Sequence, residues 1–266
     1  MTCLFKPWPI TVLVLAVHNL MATDIKAAVL LIGDELLSGR TRDINLQSIA
    51  QQVAKNGIDI AEARVIADVP ALIARHVNQL RAEYDLVFTS GGIGPTHDDR
   101  TMDAVAMAFE TVAEIDPEAD RRLREYYAGE DREYGEARRR MARLPKGAAL
   151  IDNPVSVAPG AHVGNVYVLP GVPKILLAMV EGLLEQLPTS DRVIHREFMV
   201  RTPESDLAAL MTQMHDLDDA VSVGSYPGMD DEGYFTRVVV RSRAKHLVDL
   251  AVKMLADALG ELSELS

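Results

Sequence analysis

Short apolar runs alternate along the chain with stretches in which apolar residues recur at helical spacing. Residues 26–32 (KAAVLLI) have the near-continuous apolar character expected of a strand buried on both faces of a parallel sheet. Residues 58–65 and 85–90 form two further predicted strands. Helical spacing connects the three strands, over residues 44–53 and 72–80. This βαβαβ order with short connections predicts an α/β fold with a doubly wound, mostly parallel sheet.

The same patterns extend into the second half of the chain. After the third strand they predict a helical and increasingly charged region at 101–144, strands at 148–151 and 162–169, and a helix at 174–187. The tail follows with a strand at 193–200, a helix at 203–214, strands at 221–225 and 234–241, and a helix from residue 245. The tail is therefore expected to form a smaller α+β unit.

These patterns divide the chain into three segments. A turn-forming Pro-Thr-Ser sequence separates a large domain, residues 24–188, from the small domain, residues 190–266. Residues 1–23 are interpreted as an extension that is disordered or not native. Within it, residues 9–17 resemble the apolar core of a signal peptide, which leaves export as the alternative. This run is shorter than the ~20 residues that span a bilayer, so no membrane partner is expected.

Composition narrows the class of protein further. The 266 residues are 48% hydrophobic and 25% charged, as in a packed globular protein, and the net charge is −12. Nucleic-acid binding is not expected, because it needs a basic footprint, and the small domain carries fourteen acidic against eight basic residues, a net of −6. Cys3 is the only cysteine, so no disulfide or cysteine zinc site is expected and a reducing, cytoplasmic location is predicted.

A glycine-rich turn directly follows the third predicted strand. Glycines at this position allow backbone N–H groups to approach an anion, and the N-terminus of the next helix adds its positive dipole end. The sequence matches neither the dinucleotide fingerprint nor a Walker loop, and a tight strand-to-helix connection is the structural alternative. The candidate ligand-binding residues here are Ser90, Gly91, Gly92, Gly94 and Thr101.

Two adjacent carboxylates, Asp98 and Asp99, stand beside this turn. They would repel a phosphate unless a divalent cation lay between them. One of Asp98 and Thr101 can instead cap the following helix, but capping does not account for both acids. A metal or acid/base role is therefore predicted for Asp99, with Asp98 as a further metal ligand.

The first strand ends in a similar loop. Gly33, Asp34 and Glu35 follow it, and strands one and three are neighbours in many doubly wound sheets, so both loops are expected to face one crevice. Asp34 is predicted as a catalytic and metal-binding carboxylate, while a solvated turn is the stronger interpretation for Glu35. Asp43 and Asn45 are further ligand candidates, although Asp43 serves equally well as a helix N-cap.

Positive charge is needed to balance a pyrophosphate. Arg139, Arg140 and Lys174 are the candidates, because guanidinium and ammonium groups both bind phosphate oxygens. A run of arginines on a helix is more often a solvated face. His97 can donate to a phosphate or act as an acid or base, but an isolated turn histidine usually does neither.

Four motifs in this order and spacing carry a family resemblance: SGGIGPTHDDRT at 90–101, GDELLSG at 33–39, APG at 158–160 and LPGVP at 169–173. Together they resemble the molybdopterin-binding MoaB/Mog superfamily, and the GDELL and HDD forms resemble the N-terminal part of CinA, the competence/damage-inducible protein A. The same module occurs in eukaryotic FAD synthases. The tail resembles the small KH-like domain of CinA, whereas the C-terminal amidase domain has no counterpart here.

The resemblance implies two different functions. In the CinA branch, the domain resembles a hydrolase, a metal-dependent pyrophosphatase that uses Mg, Mn or Co and acts on ADP-ribose or FAD. In the Mog branch, the same site binds molybdopterin as a ligand. Both place a phosphate on the glycine-rich turn near Asp99, and the motifs add Gly160 and Gly171 as ligand-binding residues. The expected partner is a nucleotide or a pterin phosphate, and a homo-oligomer is implied.

Some positions depart from the family pattern. Ser156 and Val157 replace residues of the usual Gly-Thr-Ala-Pro-Gly motif, and Ile175 stands where an acid is common. If these changes are disabling, the chain is an inactive interaction subunit. The favoured hypothesis remains hydrolysis of a phosphoanhydride with a cation held by Asp34 and Asp99.

Overall fold

The computed structural model describes residues 24–260 and 262–265. The predicted extension at 1–23 lies outside the described residues. The strands in this part of the chain are β1 (Lys26–Ile32), β2 (Asp59–Ile66), β3 (Leu86–Ser90), β4 (Ala113–Ile115), β5 (Arg143–Pro145), β6 (Ala149–Ile151), β7 (Gly160–Val163), β8 (Val166–Leu169), β9 (Ile194–Val200), β10 (Ser222–Asp230), β11 (Gly233–Ser242) and β12 (Ser263–Leu265). The helices are α1 (Asp34–Leu37), α2 (Asn45–Val53), α3 (Pro70–Glu83), α4 (Thr101–Ala108), α5 (Pro117–Gly129), α6 (Glu136–Arg139), α7 (Pro173–Leu183), α8 (Glu204–His215) and α9 (Lys245–Leu259), with 3₁₀ turns at Ala54–Asn56 and Arg140–Ala142.

Six strands form the large sheet in the order β2-β1-β3-β8-β7-β6. The first four are parallel, whereas β7 runs antiparallel to both β8 and β6. In β1, Ala28 and Leu30 contribute to one apolar core, while Val29 and Leu31 contribute to a second core on the opposite face. Helices α3 and α4 cover the first face, and α2 and α7 cover the second. The predicted doubly wound, mostly parallel sheet is confirmed.

Two parts of the large domain differ from the predicted elements. Residues 162–169 form the hairpin β7–β8 instead of one continuous strand, because the chain reverses at Gly164 (φ +59°) and Asn165. The Asn165 side-chain amide fixes this turn by donating to the carbonyls of Arg81 and Tyr84, at 3.0 and 2.8 Å. The region 101–144 also contains β4 and the first two residues of β5, and both strands, at three residues each, are too short to show alternation.

The small domain is an antiparallel sheet in the order β10-β11-β9-β12, packed against α8 and α9. Its core contains Phe198, Val238 and Leu255, all at most 2% exposed. The predicted α+β class is confirmed, while β12 has no predicted counterpart. Among the described residues, every helix is too short or too polar to cross a bilayer.

Arg243 ties the small domain to the large one. Its guanidinium group lies 2.8 Å from the carboxylate of Asp24 and also pairs with the carboxylate of Asp59. It donates further to the carbonyls of Gly57 and Asp191. The Arg243 side chain is only 19% exposed, whereas its carboxylate partners Asp24 and Asp59 are 58% and 50% exposed, so the guanidinium group is covered by the contact and the acids remain open to solvent.

Parallel pairing brings the carboxyl ends of β2, β1, β3 and β8 to one edge of the sheet. The N–H of Gly33, after β1, donates to Ile66 at the end of β2 at 3.1 Å. Gly91, after β3, lies so close to the β1 carbonyl of Ile32 that a Cβ at this position would collide with it. Gly171, after β8, packs against Gly91 in turn. Four loops therefore converge where an open α/β sheet usually binds its ligand.

Two glycine substitutions test this close backbone contact. Gly91 and Gly147 both have positive φ, +113° and +78°, but a Cβ on Gly147 would meet no atom within 4 Å. We expect Gly147→Ala to lower the free energy of unfolding by about 1–2 kcal/mol, the cost of a left-handed residue. Gly91→Ala should cost roughly 2 kcal/mol more, because the backbone of β1 must move. Urea unfolding of both variants measures the difference, and equal losses would contradict the proposed contact.

Candidate active site

The glycine-rich turn presents a row of backbone donors. The Gly91 N–H donates to the carbonyl of Leu169 at 3.1 Å, and the Thr101 N–H donates back to Gly92 at 2.9 Å. Within the described part of the chain, the N–H groups of Gly92, Ile93 and Gly94 have no hydrogen-bond partner. Three consecutive amides without acceptors can donate together to the oxygens of an anion.

Asn45 and Ser90 hold the surrounding loops together. The Asn45 side-chain amide donates to Ser90 Oγ at 2.9 Å and to the carbonyl of Gly171 at 2.8 Å. Ser90 Oγ donates in turn to the carbonyl of Pro170 at 3.4 Å. The structure therefore brings Asn45, Ser90 and Gly171 together. Their hydrogen bonds connect the end of β3, the start of α2 and the loop after β8.

An acid that the sequence analysis did not select, Asp68, faces the turn from the end of β2. Its Oδ2 lies 3.3 Å from the point where a Cβ on Gly92 would stand. Its Oδ1 is fully buried and has no hydrogen-bond partner among the described residues. Burial is the main cause that raises the pKa of Asp68 to about 6, and the negative charges of Asp99 and Asp34 contribute to the same increase. Asp68 is thus a half-buried carboxyl surrounded by other carboxylates.

Unpaired polar atoms are concentrated at this edge of the sheet. In the described ranges, four buried side-chain oxygens lack a hydrogen-bond partner: Asn45 Oδ1, Asp68 Oδ1, Thr89 Oγ1 and Thr101 Oγ1. All four belong to residues at the carboxyl ends of β2 and β3 or at the first residues of α2 and α4. Since a buried polar group without a partner is costly, their grouping indicates a site that a ligand completes.

The two adjacent acids have different surroundings. Asp99 Oδ2 accepts hydrogen bonds from the N–H and the hydroxyl of Thr96, at 2.8 and 2.5 Å, and lies against Gly94. Asp98 is 71% exposed and lies 3.9 Å from His97, which is 96% exposed. The local turn therefore directs Asp99 toward the glycine-rich loop, whereas Asp98 and His97 face solvent.

A preformed metal cage is absent from the described part of the chain. No three His, Cys, Asp or Glu side chains lie close enough together there to bind an ion jointly. The predicted ligands Asp34, Asp98 and Asp99 thus do not form one cluster. One reason is that Asp98 faces solvent and Asp99 is engaged by Thr96. Asp34 and Asp99 do lie near enough to Asp68 to raise its pKa.

Three predicted ligand residues have structural roles. Asp43 accepts hydrogen bonds from the N–H groups of Asn45 and Leu46, at 3.1 and 3.2 Å, which is the N-cap role considered as its alternative. Gly160 is buried, and a Cβ there would collide with the carbonyl of Val168. Arg139 pairs with Asp120 at 3.2 Å, away from the turn.

Two predicted cations remain beside the site. Arg140 is exposed and lines a narrow gap together with Gly94 and Asp99. Lys174 is exposed in the first turn of α7, three residues after Gly171. Arg140 is therefore the predicted cation that borders both the glycine-rich turn and an acidic side chain.

The departure at residues 156–157 coincides with an unusual backbone. Val157 has φ +65°, which is rare for a β-branched residue. The Asn153 side-chain oxygen fixes this turn by accepting from the N–H groups of Val155 and Ser156, both at 3.0 Å. Because β7 starts where β8 ends, the turn lies at the same edge of the sheet as the glycine-rich loop.

Comparison with known proteins identifies the family. A model described as a probable molybdopterin binding domain matches residues 28–189. A CinA-like protein of Thermotoga maritima is 31% identical over 89% of this chain and 59% of its own length. The solved protein CinA of Thermoplasma acidophilum aligns with 61% of this chain and 99% of its own, at 30% identity and a TM-score of 0.56. The chain belongs to the MoaB/Mog superfamily and is of the CinA type.

The small domain of this CinA-type protein matches a second model. Residues 192–264 match the family described as the middle domain of FAD synthase. A probable FAD synthase of Caenorhabditis elegans is 30% identical over 88% of this chain. This chain spans about half the length of that relative, since the alignment covers 50% of it. The CinA-type chain therefore combines the molybdopterin-binding fold with a domain of the FAD synthase type.

In the sequence of this CinA-type protein, Asp68 resembles an ordinary helix-start residue, because it precedes Pro70, the first residue of α3. In the structure, Asp68 does not cap α3, whose preceding residue is Val69. A usable signal was present, since Asp34 and Asp68 each stand two residues after a strand at the same edge of the sheet.

Asp68→Asn tests the electrostatic cost of the site. The folded protein holds the Asp68 proton up to about pH 6, whereas the unfolded chain releases it near about pH 4. Stability should therefore fall as pH rises through this window, and it should stay lower above it. With allowance for partial solvent exposure, we expect Asp68→Asn to raise the free energy of unfolding by about 1 kcal/mol at pH 8, and hardly at all at pH 4.

Urea unfolding at both pH values measures this difference. Asp131→Asn is the control, because Asp131 is an exposed turn residue with φ +51°, a conformation that asparagine also adopts. An Asp68→Asn variant that is less stable than the wild type at pH 8 would show that the carboxylate has stabilising partners.

Proposed function

We propose that this CinA-type protein is a divalent-metal-dependent pyrophosphatase that hydrolyses a nucleotide phosphoanhydride, with ADP-ribose or FAD as the substrate class. The observation that supports it is that two kinds of unsatisfied group stand at the same edge of the sheet. These are the backbone N–H groups of Gly92, Ile93 and Gly94, and the buried Oδ1 of Asp68, none of which has a hydrogen-bond partner among the described residues. The amides suit phosphate oxygens, while the carboxylates suit a cation bound between the protein and that phosphate.

The available donors fit a hard divalent cation. Asp68 and Asp99 would hold it, with Asp34 close enough to contribute charge, and all three offer only oxygen. Mg²⁺ is commonly bound by one or two carboxylates together with substrate phosphates, so a preformed cage of three side chains is not required. When bound, such a cation neutralises phosphate charge and increases the acidity of water.

The reaction requires a water molecule and no further co-reactant. Its oxygen bonds to one phosphorus, the bridging P–O bond breaks, and two phosphate monoesters result, namely AMP and ribose 5-phosphate from ADP-ribose. The N–H groups of Gly92–Gly94 would stabilise the negative charge on the phosphate, since they are fixed before the substrate arrives. Arg140, beside Gly94, would neutralise charge on the leaving phosphate.

Positioning of these groups depends on neighbouring side chains. Thr96 would keep Asp99 oriented through its two hydrogen bonds. Asn45 and Ser90 would keep the loops after β3 and β8 at a constant separation. These contacts hold the site in one arrangement, which limits the reorganisation needed during the reaction.

The second candidate is a molybdopterin-binding module without hydrolysis. The match of residues 28–189 to a probable molybdopterin binding domain favours it, because a pterin phosphate would occupy the same amides. Binding alone requires neither a cation nor an activated water.

Asp99→Asn tests the hydrolytic function. We expect wild-type protein to release AMP from ADP-ribose or FAD in the presence of Mg²⁺, Mn²⁺ or Co²⁺, and the variant to lose on the order of 10³-fold in kcat/KM. Asp131→Asn, which changes an exposed acid outside the site, should retain wild-type turnover. AMP can be followed by chromatography of the quenched reaction.

Two outcomes would contradict the proposal. A loss smaller than tenfold would give Asp99 a structural role only. Absence of AMP release from every substrate and metal, together with binding of molybdopterin, would favour the second candidate.

A further inference from the structure

A second cavity lies beside the glycine-rich turn. This α4 cleft, an open cavity of about 890 Å³, lies along α4 and β4. It extends from Asp103 to Glu110, which corresponds to roughly 10 Å along α4 and its C-terminal end. Its volume lies in the range of small-molecule sites, and its length suits a nucleoside.

The α4 cleft adjoins the gap beside the glycine-rich turn. Asp103, Arg140 and Arg143 line both the cleft and the narrow gap that Gly94 and Asp99 border. Arg143 is held in place by Asp103, at 2.7 Å, whereas the described contacts give Arg140 no such partner. Arg140 therefore stands between the gap at the glycine-rich turn and the α4 cleft, and its guanidinium group is available to a ligand on either side.

The lining combines apolar and cationic groups. Met107 and Val112 are large apolar side chains that line the cleft. They are 54% and 60% exposed, so the cleft presents an apolar surface to solvent. Arg100 joins Arg140 and Arg143 at the cleft, against two acids, Asp103 and Glu110. This local excess of positive charge occurs in a chain with a net charge of −12. The combination suits an anion that carries a planar apolar group.

We propose that the α4 cleft binds the heteroaromatic base of the nucleotide. This assignment rests on the proposed function, in that the phosphate occupies the glycine-rich turn. Met107 and Val112 form the apolar wall against which the base packs, and Arg140 spans the base and the phosphate with its planar guanidinium group. The cleft thereby distinguishes a nucleotide from inorganic pyrophosphate, which has no base.

Calorimetric binding of AMP to the full chain tests the cleft without turnover. We expect Met107→Glu to weaken AMP binding about tenfold, because an anionic side chain replaces the apolar wall. Pyrophosphate binding should change less than twofold. Leu250→Glu is the matched control, since Leu250 is a 44% exposed apolar residue on α9 of the small domain. A melting curve of each variant verifies folding.

A pair of arginine variants provides a second measurement. Arg140→Ala should weaken both AMP and pyrophosphate binding about tenfold, because Arg140 borders the cleft and the turn. Its neighbour Arg139 pairs with Asp120, so Arg139→Ala should leave both affinities unchanged.

The outcomes separate the cleft from the reaction. Equal AMP affinity in Met107→Glu and wild type would overturn the cleft assignment, even if ADP-ribose is hydrolysed. Weakened AMP binding in that variant would support the cleft even if no substrate is turned over, in which case only the hydrolytic function fails. Wild-type protein that binds pyrophosphate but not AMP, or neither ligand, would also overturn the assignment.

Discussion

Parallel pairing of β1 between β2 and β3 is the constraint on which the rest of the site depends. Parallel strands all terminate at the same edge of the sheet, so any residue placed one or two positions beyond a strand end meets its counterparts from the neighbouring strands. In this chain those positions hold Asp34, Asp68 and the glycine-rich turn. The backbone approach at Gly91 is close because no Cβ is present. Removing that space would move the loops apart and the carboxylates with them.

The site is organised at a cost to stability. The carboxyl of Asp68 is partly buried among like charges, and four buried oxygens lack partners within the described residues. A domain selected for stability alone would pair or replace these groups. Their retention beside unpaired backbone amides is explained if a ligand supplies hydrogen bonds and charge to them, since a ligand that binds the folded protein stabilises it.

The sequence predicted the large sheet well because its strands have strong local patterns. The apolar run at residues 26–32 and the helical spacing over residues 44–53 indicated β1 and α2 correctly. The three-residue strands β4 and β5 could not be predicted, since they are too short to show alternation and depend on tertiary pairing with each other. The reversal at Gly164 was missed because the flanking residues are apolar on both sides.

The residues of the candidate site could be predicted where they stand together in one sequence motif. They could not be predicted where a residue belongs to the site only because the fold buries it there. The glycine-rich turn and Asp99 stand in one motif, so the sequence alone indicates that they lie side by side. Asp68 differs from a helix-capping acid only in the burial of its Oδ1 and in the charges around it, which are properties of the fold. Similarly, sequence spacing cannot distinguish Arg139 from Arg140, because the difference lies in whether Asp120 is within reach.

The Arg243 contact also determines how the small domain is connected to the acidic edge of the large sheet. Arg243 holds the first residue of β2, Asp59, and the last residue of the same strand stands two positions before Asp68. The eight residues of β2 span roughly 26 Å. The small domain and the acidic edge are therefore connected through one strand of the central sheet, with no loop between them.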